Sequence, residues 1–267
     1  MKIPEGIKTC VAFVGLRMAN GSFRMAGTVY FIGRDDNGSN LKYAVTAKHV
    51  IEGIKSKGLI HVYLRLNMKN GNATWFATEI NHWKYHKDPN VDIATLNIGF
   101  PPEIDQQFYP FSGVMTEIVR EQHQIEEGDE VFITGLFRHH HGNLKNIPIV
   151  RVGNISAMPD EKIQTRDHLM SGYLIEARSI GGLSGSPVYV NLGLHRHING
   201  SIKQSNSGPI YFLLGMIYGH YDINTSEIDE SIEDTMNLSD RVNTGIAIVT
   251  PIVKLVDHLN DISPTLS

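Results

Sequence analysis

Short runs rich in Val, Ile, Tyr, Phe and Thr, each broken by Gly, Asn, Asp or Pro, recur along the whole chain and leave little room for long helices. Residues of these types fit a pleated, half-buried surface, so the pattern predicts many short antiparallel strands. Six runs precede Pro101, at residues 9–16, 27–34, 41–47, 59–66, 72–82 and 92–98. Six more follow the Pro101-Pro102 pair and a polar link, at residues 129–136, 147–158, 172–178, 186–190, 210–219 and 244–250. An open sheet exposes unpaired edges, and closure into a barrel removes them. Six runs and then six predict an all-β fold of two six-stranded antiparallel β-barrels, spanning residues 8–112 and 128–250 with a linker at 113–127. Helix is expected as a short turn at residues 49–54 and as a C-terminal helix at 251–262. The latter begins at Thr250-Pro251 and sets Ile252, Leu255, Val256 and Leu259 at helical spacing, a stripe expected to pack on the second barrel.

At 267 residues and 41% hydrophobic, the chain can bury a substantial core. A formal net charge of −4 and a pI near 6.3, with no Lys/Arg run interleaved with aromatics, argue against a nucleic-acid partner. The single cysteine, Cys10, cannot form an internal disulfide, which points to a fold held by packing and to a reducing compartment. There is no basic start followed by an apolar stretch and no apolar run of 18 residues, so a cytoplasmic location without membrane contact is expected. Polar segments at residues 191–209 and 222–243 are long enough to be functional or mobile loops.

Ser184 stands in the run Gly182-Leu183-Ser184-Gly185-Ser186-Pro187. A serine hydroxyl is a poor nucleophile at neutral pH and needs an imidazole to take its proton and a carboxylate to fix that imidazole's tautomer. Two earlier segments carry such groups: Thr46-Ala47-Lys48-His49 and Val91-Asp92-Ile93-Ala94. The flanking glycines permit a tight turn in which the N–H groups of Gly182 and Ser184 meet an oxyanion. Taken alone, the serine run reads equally well as a turn entering a strand, His49 as a residue at the start of a short helix, and Asp92 as a turn acceptor.

The three segments together resemble the serine, histidine and aspartate segments of the trypsin-like (chymotrypsin-fold) serine proteases, and they stand in that family's order. The residues Gly27-Thr28-Val29-Tyr30-Phe31-Ile32 resemble the strand before the family's histidine. Gly215-Met216-Ile217-Tyr218-Gly219 resembles the strand that binds substrate backbone beside the serine. The likeness implies one peptidase unit over residues 1–267 with its site in the cleft between two barrels. Its implied roles are His49 as general base and acid, Asp92 as the group that orients it, Ser184 as acylated nucleophile, and Gly182 and Ser184 as oxyanion donors. Ile217, Tyr218 and Gly219 are expected to touch substrate. Leu183 departs from the digestive and clotting members, which have an aspartate there for a freed N-terminus, so activation by that ion pair is not available. The lack of paired cysteines sets the chain nearer to bacterial and intracellular members.

The residue six before the nucleophile commonly floors the family's primary pocket, and here it is Arg178, which favours an acidic side chain. Against it, the segment after residue 219 is rich in Asp and Glu, which reads either as a rim for basic substrates or as a solvated loop. Ser186 is expected to be structural. The His139-His140-His141 run lies in what is expected to be an exposed hairpin tip at residues 138–146, where adjacent side chains diverge, so no metal is assigned. The implied activity is a serine endopeptidase that needs no cofactor and acts on protein or peptide, with activation by a protein partner or a ligand left open; a latent or non-catalytic binding module of the same fold stays open as the alternative.

Overall fold

The computed structural model describes residues 3–36, 39–138, 140–165, 168–177, 182–205, 210–224 and 241–263. After a helical turn, α1 (Glu5–Lys8), the first half runs through β1 (Val11–Arg17), β2 (Phe23–Asp36) and β3 (Ser39–Thr46). It continues with α2 (Lys48–Lys55), β4 (His61–Asn67), β5 (Ala73–Glu79), β6 (Lys84–Tyr85), β7 (Ala94–Asn97) and β8 (Tyr109–Pro110). The second half opens with α3 (Glu117–His123), β9 (Glu130–Gly135) and β10 (Ile149–Ala157). Next come β11 (Ile163–Gln164), β12 (Leu169–Met170), β13 (Tyr173–Glu176) and β14 (Pro187–Asn191). Last are β15 (His195–Ile198), β16 (Ser201–Gln204), β17 (Tyr211–Asn224), β18 (Arg241–Pro251) and α4 (Ile252–Ile262).

The second half contains the expected closed barrel, with its six strands ordered β10-β13-β18-β17-β14-β9. The first half differs from expectation. Its strands form one eight-stranded sheet ordered β5-β4-β1-β2-β3-β7-β6, with β8 pairing in parallel with β2. No ladder among the described residues joins β5 to β6, so a closed six-stranded first barrel is not what forms. The two end strands are instead neighbours in sequence, linked by a 3-10 turn over Ile80–His82. Trp83 follows that turn, 4% exposed, and its indole N–H donates to Thr78 Oγ1 at 3.1 Å. The two end strands are thus joined by a covalent corner and a buried ring, with no ladder hydrogen bonds between them among the described residues.

The stretch expected to be a plain linker contains α3, capped by Thr116 Oγ1, which accepts from the Val119 N–H at 3.3 Å. It ends at Gln124 in the left-handed region, φ 49°. The polar segment after residue 191 contains the hairpin β15–β16. Arg196 in that hairpin reaches back to Asp129 through two bonds, at 2.5 and 2.7 Å. Of the second polar segment, residues 225–240 lie outside the described residues.

The C-terminal helix does more than cover the second barrel. Ile252, Leu255, His258 and Leu259 are its buried face. Its far end belongs to the first half: Arg34 donates to Asn260 Oδ1 at 2.8 Å, Tyr43 Oη donates to Ser263 Oγ at 2.7 Å, and Lys87 pairs with Asp261 at 2.8 Å. α4 is therefore a strap across both halves. Cys10 is buried in the first-half core, its thiol pKa pushed up to about 12 by burial, so it is an inert packing group.

Candidate active site

His49 sits at the second position of α2, whose N-cap, Ala47, has no side chain able to accept from the helix's first N–H groups. Asp92 supplies that acceptor from a different loop. Its Oδ1 accepts from the His49 backbone N–H at 2.8 Å, and its Oδ2 lies 2.7 Å from His49 Nδ1. One carboxylate thus caps the helix and holds the imidazole. The positive end of α2 also favours its charge. The loop is tight enough to aim it: Ile93 N–H donates to the Val91 carbonyl at 3.0 Å, and His86 N–H donates to the Ile93 carbonyl at 3.3 Å. Lys48 Nζ ties the same loop to α2 through the Pro89 carbonyl at 3.1 Å.

The Asp92 side chain is 6% exposed and that of His49 is 45% exposed, so the carboxylate is sheltered behind a ring that reaches solvent. Burial pushes the His49 pKa down, but the hydrogen bond and charge of Asp92, helped by Glu52, outweigh it and raise the pKa above its ordinary value. With Nδ1 engaged, Nε2 is left to act on a second group.

Ser184 lies in a loop whose geometry only glycine permits at two points. Gly182 has φ +110° and Gly185 φ +86°. A Cβ at Gly185 would fall 2.2 Å from the Thr28 carbonyl oxygen and 2.5 Å from Thr46 Oγ1, so the loop backbone is pressed against β2 and β3. Thr28, fully buried, is the fastener. Its N–H donates to the Ser184 carbonyl at 3.0 Å and its Oγ1 donates to the Gly182 carbonyl at 2.9 Å. The same Oγ1 accepts from the Leu136 N–H at 2.9 Å, and the Thr28 carbonyl accepts from Thr46 Oγ1 at 2.6 Å. Leu183, 1% exposed, packs inward where a charged residue would need a partner.

The structure brings His49, Asp92 and the Ser184 loop to the seam between the halves, but Ser184 Oγ points elsewhere. It donates to the Tyr218 carbonyl at 3.3 Å, and among the described residues no hydrogen bond joins it to His49. Among the same residues, the N–H groups of Gly182 and Ser184 have no acceptor. The Tyr218 ring meets the His49 ring edge-on at 5.7 Å.

Of the expected substrate-contact residues, Tyr218 and Gly219 lie at a register irregularity where β17 pairs with β18. Ile217 is drawn out of the site: its side chain is fully buried, its N–H donates to the Ser186 carbonyl at 2.8 Å and its carbonyl accepts from Gly185 at 2.9 Å. Arg178 lies outside the described residues. Ser186 is fully buried, and among the described residues its Oγ has no hydrogen-bond partner.

The loop after β9 is exposed at residues 138, 140 and 143–145, as expected of a tip, but its far end is anchored. Arg65 of β4, 7% exposed, donates to Asn146 Oδ1 at 3.1 Å and to the Asn143 carbonyl at 2.7 Å, and Asn146 is 4% exposed. This second-half loop is therefore docked on the first half. Among the described residues, no three His, Cys, Asp or Glu side chains are grouped to hold a metal ion, and no helix is long and apolar enough to cross a membrane. Thr28 and Thr46 were not singled out from sequence. The available signal was Gly27, a glycine inside a strand pattern, which marks a close backbone approach; its Cβ would lie 3.0 Å from the Ser184 carbonyl oxygen.

Solved structures share this architecture over nearly the whole chain. The MamO protease domain from Magnetospirillum magneticum, in its apo form, is similar at TM-score 0.54 and 16% identity, with 95% of this chain and 97% of that chain covered. Rv3671c from M. tuberculosis H37Rv, a serine-to-alanine mutant in an inactive form, is similar at TM-score 0.50 and 14% identity, with 98% and 91% covered. No protein-family model and no curated protein sequence matches the chain. The likeness is one of fold, and the fold is that of the trypsin-like serine proteases.

Proposed function

We propose that the chain is a serine endopeptidase with His49, Asp92 and Ser184 as its catalytic residues. The observation that carries this reading is the paired engagement of Asp92 with the backbone and ring of His49, at 2.8 and 2.7 Å, beside a serine loop pinned to the same half of the molecule. His49 Nε2 takes the Ser184 proton as Oγ bonds to the substrate carbonyl carbon, and the oxyanion is met by the N–H groups of Gly182 and Ser184. His49 then returns the proton to the amine, the peptide C–N bond breaks, and an acyl-enzyme remains. Water, deprotonated by His49, hydrolyses that ester and restores the hydroxyl. Tyr218 and Gly219 present backbone to the acyl part of the substrate, and Arg178 is the candidate floor of its side-chain pocket. The working unit comprises the two halves at 8–112 and 128–250, with protein or peptide as substrate.

The bond from Ser184 Oγ to the Tyr218 carbonyl favours a second reading, a latent form or a binding module. In the latent form, substrate or an activating partner turns the hydroxyl from Tyr218 toward His49, a shift between two rotamer states. Treatment of the purified chain with a fluorophosphonate probe, beside a Ser184→Ala control, separates these readings. An adduct on Ser184 that vanishes in the control is the outcome expected of an enzyme. A folded chain that takes no label, alone or with candidate partners, defeats the endopeptidase reading.

A further inference from the structure

Beside the Ser184 loop, the fold assembles a cationic and aromatic cleft that is invisible along the chain. It is an open, shallow cleft of about 620 Å³ lined by Arg24, Arg65, Arg138 and His141 together with Phe23 and Trp75. The Phe23 and Trp75 rings stack at 4.3 Å with an interplanar angle of 12°. Gly15 makes room for them, since a Cβ there would lie 2.7 Å from the Trp75 ring. No carboxylate is among the lining residues. Arg65 is spent on holding the 138–147 loop, but Arg24 and Arg138 are exposed, and among the described residues neither has a carboxylate partner.

The cleft adjoins the reacting centre. Arg138 Nη2 donates to the Ala26 carbonyl at 3.0 Å, two residues before Thr28, and Arg138 Cγ lies 3.1 Å from where a Cβ on Gly182 would stand. No residue of β17, the strand that contains Tyr218, is among its lining residues. If Tyr218 and Gly219 carry the acyl part of a substrate, the departing amine side runs over Gly182 and Ala26 into this cleft. Three extended residues span about 10 Å.

We propose that this cleft is a specificity subsite that selects an acidic side chain within the first three residues on the leaving-group side of the scissile bond; the inference rests on the endopeptidase reading above. Among the described residues the Arg24 and Arg138 guanidinium groups have no carboxylate partner, and their remaining N–H groups supply charge-assisted donors for one. The stacked rings give the methylene stem of a glutamate an apolar face. A chain of net charge −4 attracts no anion as a whole, so the selectivity is local to the cleft.

Two measurements test it. In the first, peptide libraries with a randomised acyl half and either Glu or Lys at the three leaving-group positions are offered to the enzyme. The expected result is about tenfold higher kcat/KM for Glu, reversed by Arg24→Glu combined with Arg138→Glu. Arg138→Gln, with thermal melting as a check on folding, covers the case in which the double variant fails to fold; it should reduce the ratio. In the second, the Ser184→Ala chain binds fluorescently labelled members of the same libraries, with an expected tenfold tighter Kd for Glu that fades at high salt. Hydrolysis without preference overturns the subsite and leaves the endopeptidase reading standing. Preferential binding with no hydrolysis and no fluorophosphonate label, alone or with candidate partners, defeats the endopeptidase reading and with it the assignment to a leaving-group side, leaving only an acid-selective peptide site. Equal binding of Glu and Lys peptides, or displacement by a short oligothymidine more strongly than by acidic peptide, overturns the subsite.

Discussion

The two halves of the molecule hold their functional groups in opposite ways. In the first half, His49 and Asp92 form a finished unit: the carboxylate is sheltered, the helix start is capped and the imidazole is oriented before any substrate arrives. In the second half, Ser184 sits on a loop that the barrel alone does not position. The bonds to its Gly182 and Ser184 carbonyls come from Thr28, a first-half residue, and its hydroxyl rests on Tyr218. The closed barrel supplies Ser184, the proposed nucleophile, and the open sheet supplies both His49, the proposed base, and the clamp. The seam is thus a working part of the site, and damage to the clamp should disturb Ser184 while leaving the His49–Asp92 unit whole.

The largest effects should follow from breaking the finished unit. Asp92→Asn keeps the size of the side chain but loses the charge and favours the wrong histidine tautomer, so kcat should fall by about 10,000-fold. The same substitution should move the acidic limb of the pH profile. His49 must be neutral to accept a proton, and Asp92 holds its pKa above the ordinary value. Activity in the wild type should therefore rise with pH through a midpoint above about 6.5, and any residual activity of the variant through a lower one. A wild-type midpoint below that value would mean that Asp92 does not govern the base.

Gly185→Ala comes next, because it strikes the clamp. A Cβ at 2.2 Å from the Thr28 carbonyl oxygen, on a residue at φ +86°, should cost about 3 kcal/mol in stability and remove the loop from register. Fluorophosphonate labelling of Ser184 should drop about a hundredfold or more, while NMR of the His49 ring shows the Asp92 contact intact. If both are lost together, the two halves are not separable in the way described.

How much of this was legible along the chain follows the same division. The twelve runs each contain a strand, because β-branched and aromatic residues report local structure directly. His49, Asp92 and Ser184 stand out as candidates because short motifs carry them, and the structure joins the first two by hydrogen bonds. Closure was not. It depends on whether two end strands exchange hydrogen bonds, and β6 is a two-residue strand with no periodicity to read. The contacts of Thr28 with Gly182 and of Arg138 with Ala26 span 154 and 112 residues, distances over which a sequence carries no pairing signal. Leu183 illustrates a half-legible position: the missing ion pair could be read, but its inward packing could not.

Thr28→Val should have a smaller effect than Gly185→Ala, since it keeps the backbone bond to Ser184 and removes only the hydroxyl. The Gly182 carbonyl loses a donor and the Leu136 N–H loses an acceptor, at a cost of about 1 to 3 kcal/mol. Acylation should slow about tenfold, and Thr28→Ser should restore it. A loss of stability without any change in acylation would reduce Thr28 to a structural residue.

The smallest effect expected tests whether α4 also serves the first half. His258 is 1% exposed and meets Thr95 Oγ1 at 2.9 Å, on the strand that follows Asp92. Burial first, and then the facing His86, push its pKa down to about 4, against a weaker opposing pull from Asp261. The unfolded chain therefore binds a proton at His258 near pH 6.5 that the folded chain refuses until about pH 4. Stability from this group is complete above that upper value and drains away as pH falls toward the lower one, by about 2 kcal/mol at pH 5. Urea midpoints at pH 7.5 and pH 5 should converge in His258→Gln relative to wild type. If the substitution leaves that interval unchanged, the strap's inner face is not what couples folding to acid, and the first half stands without it.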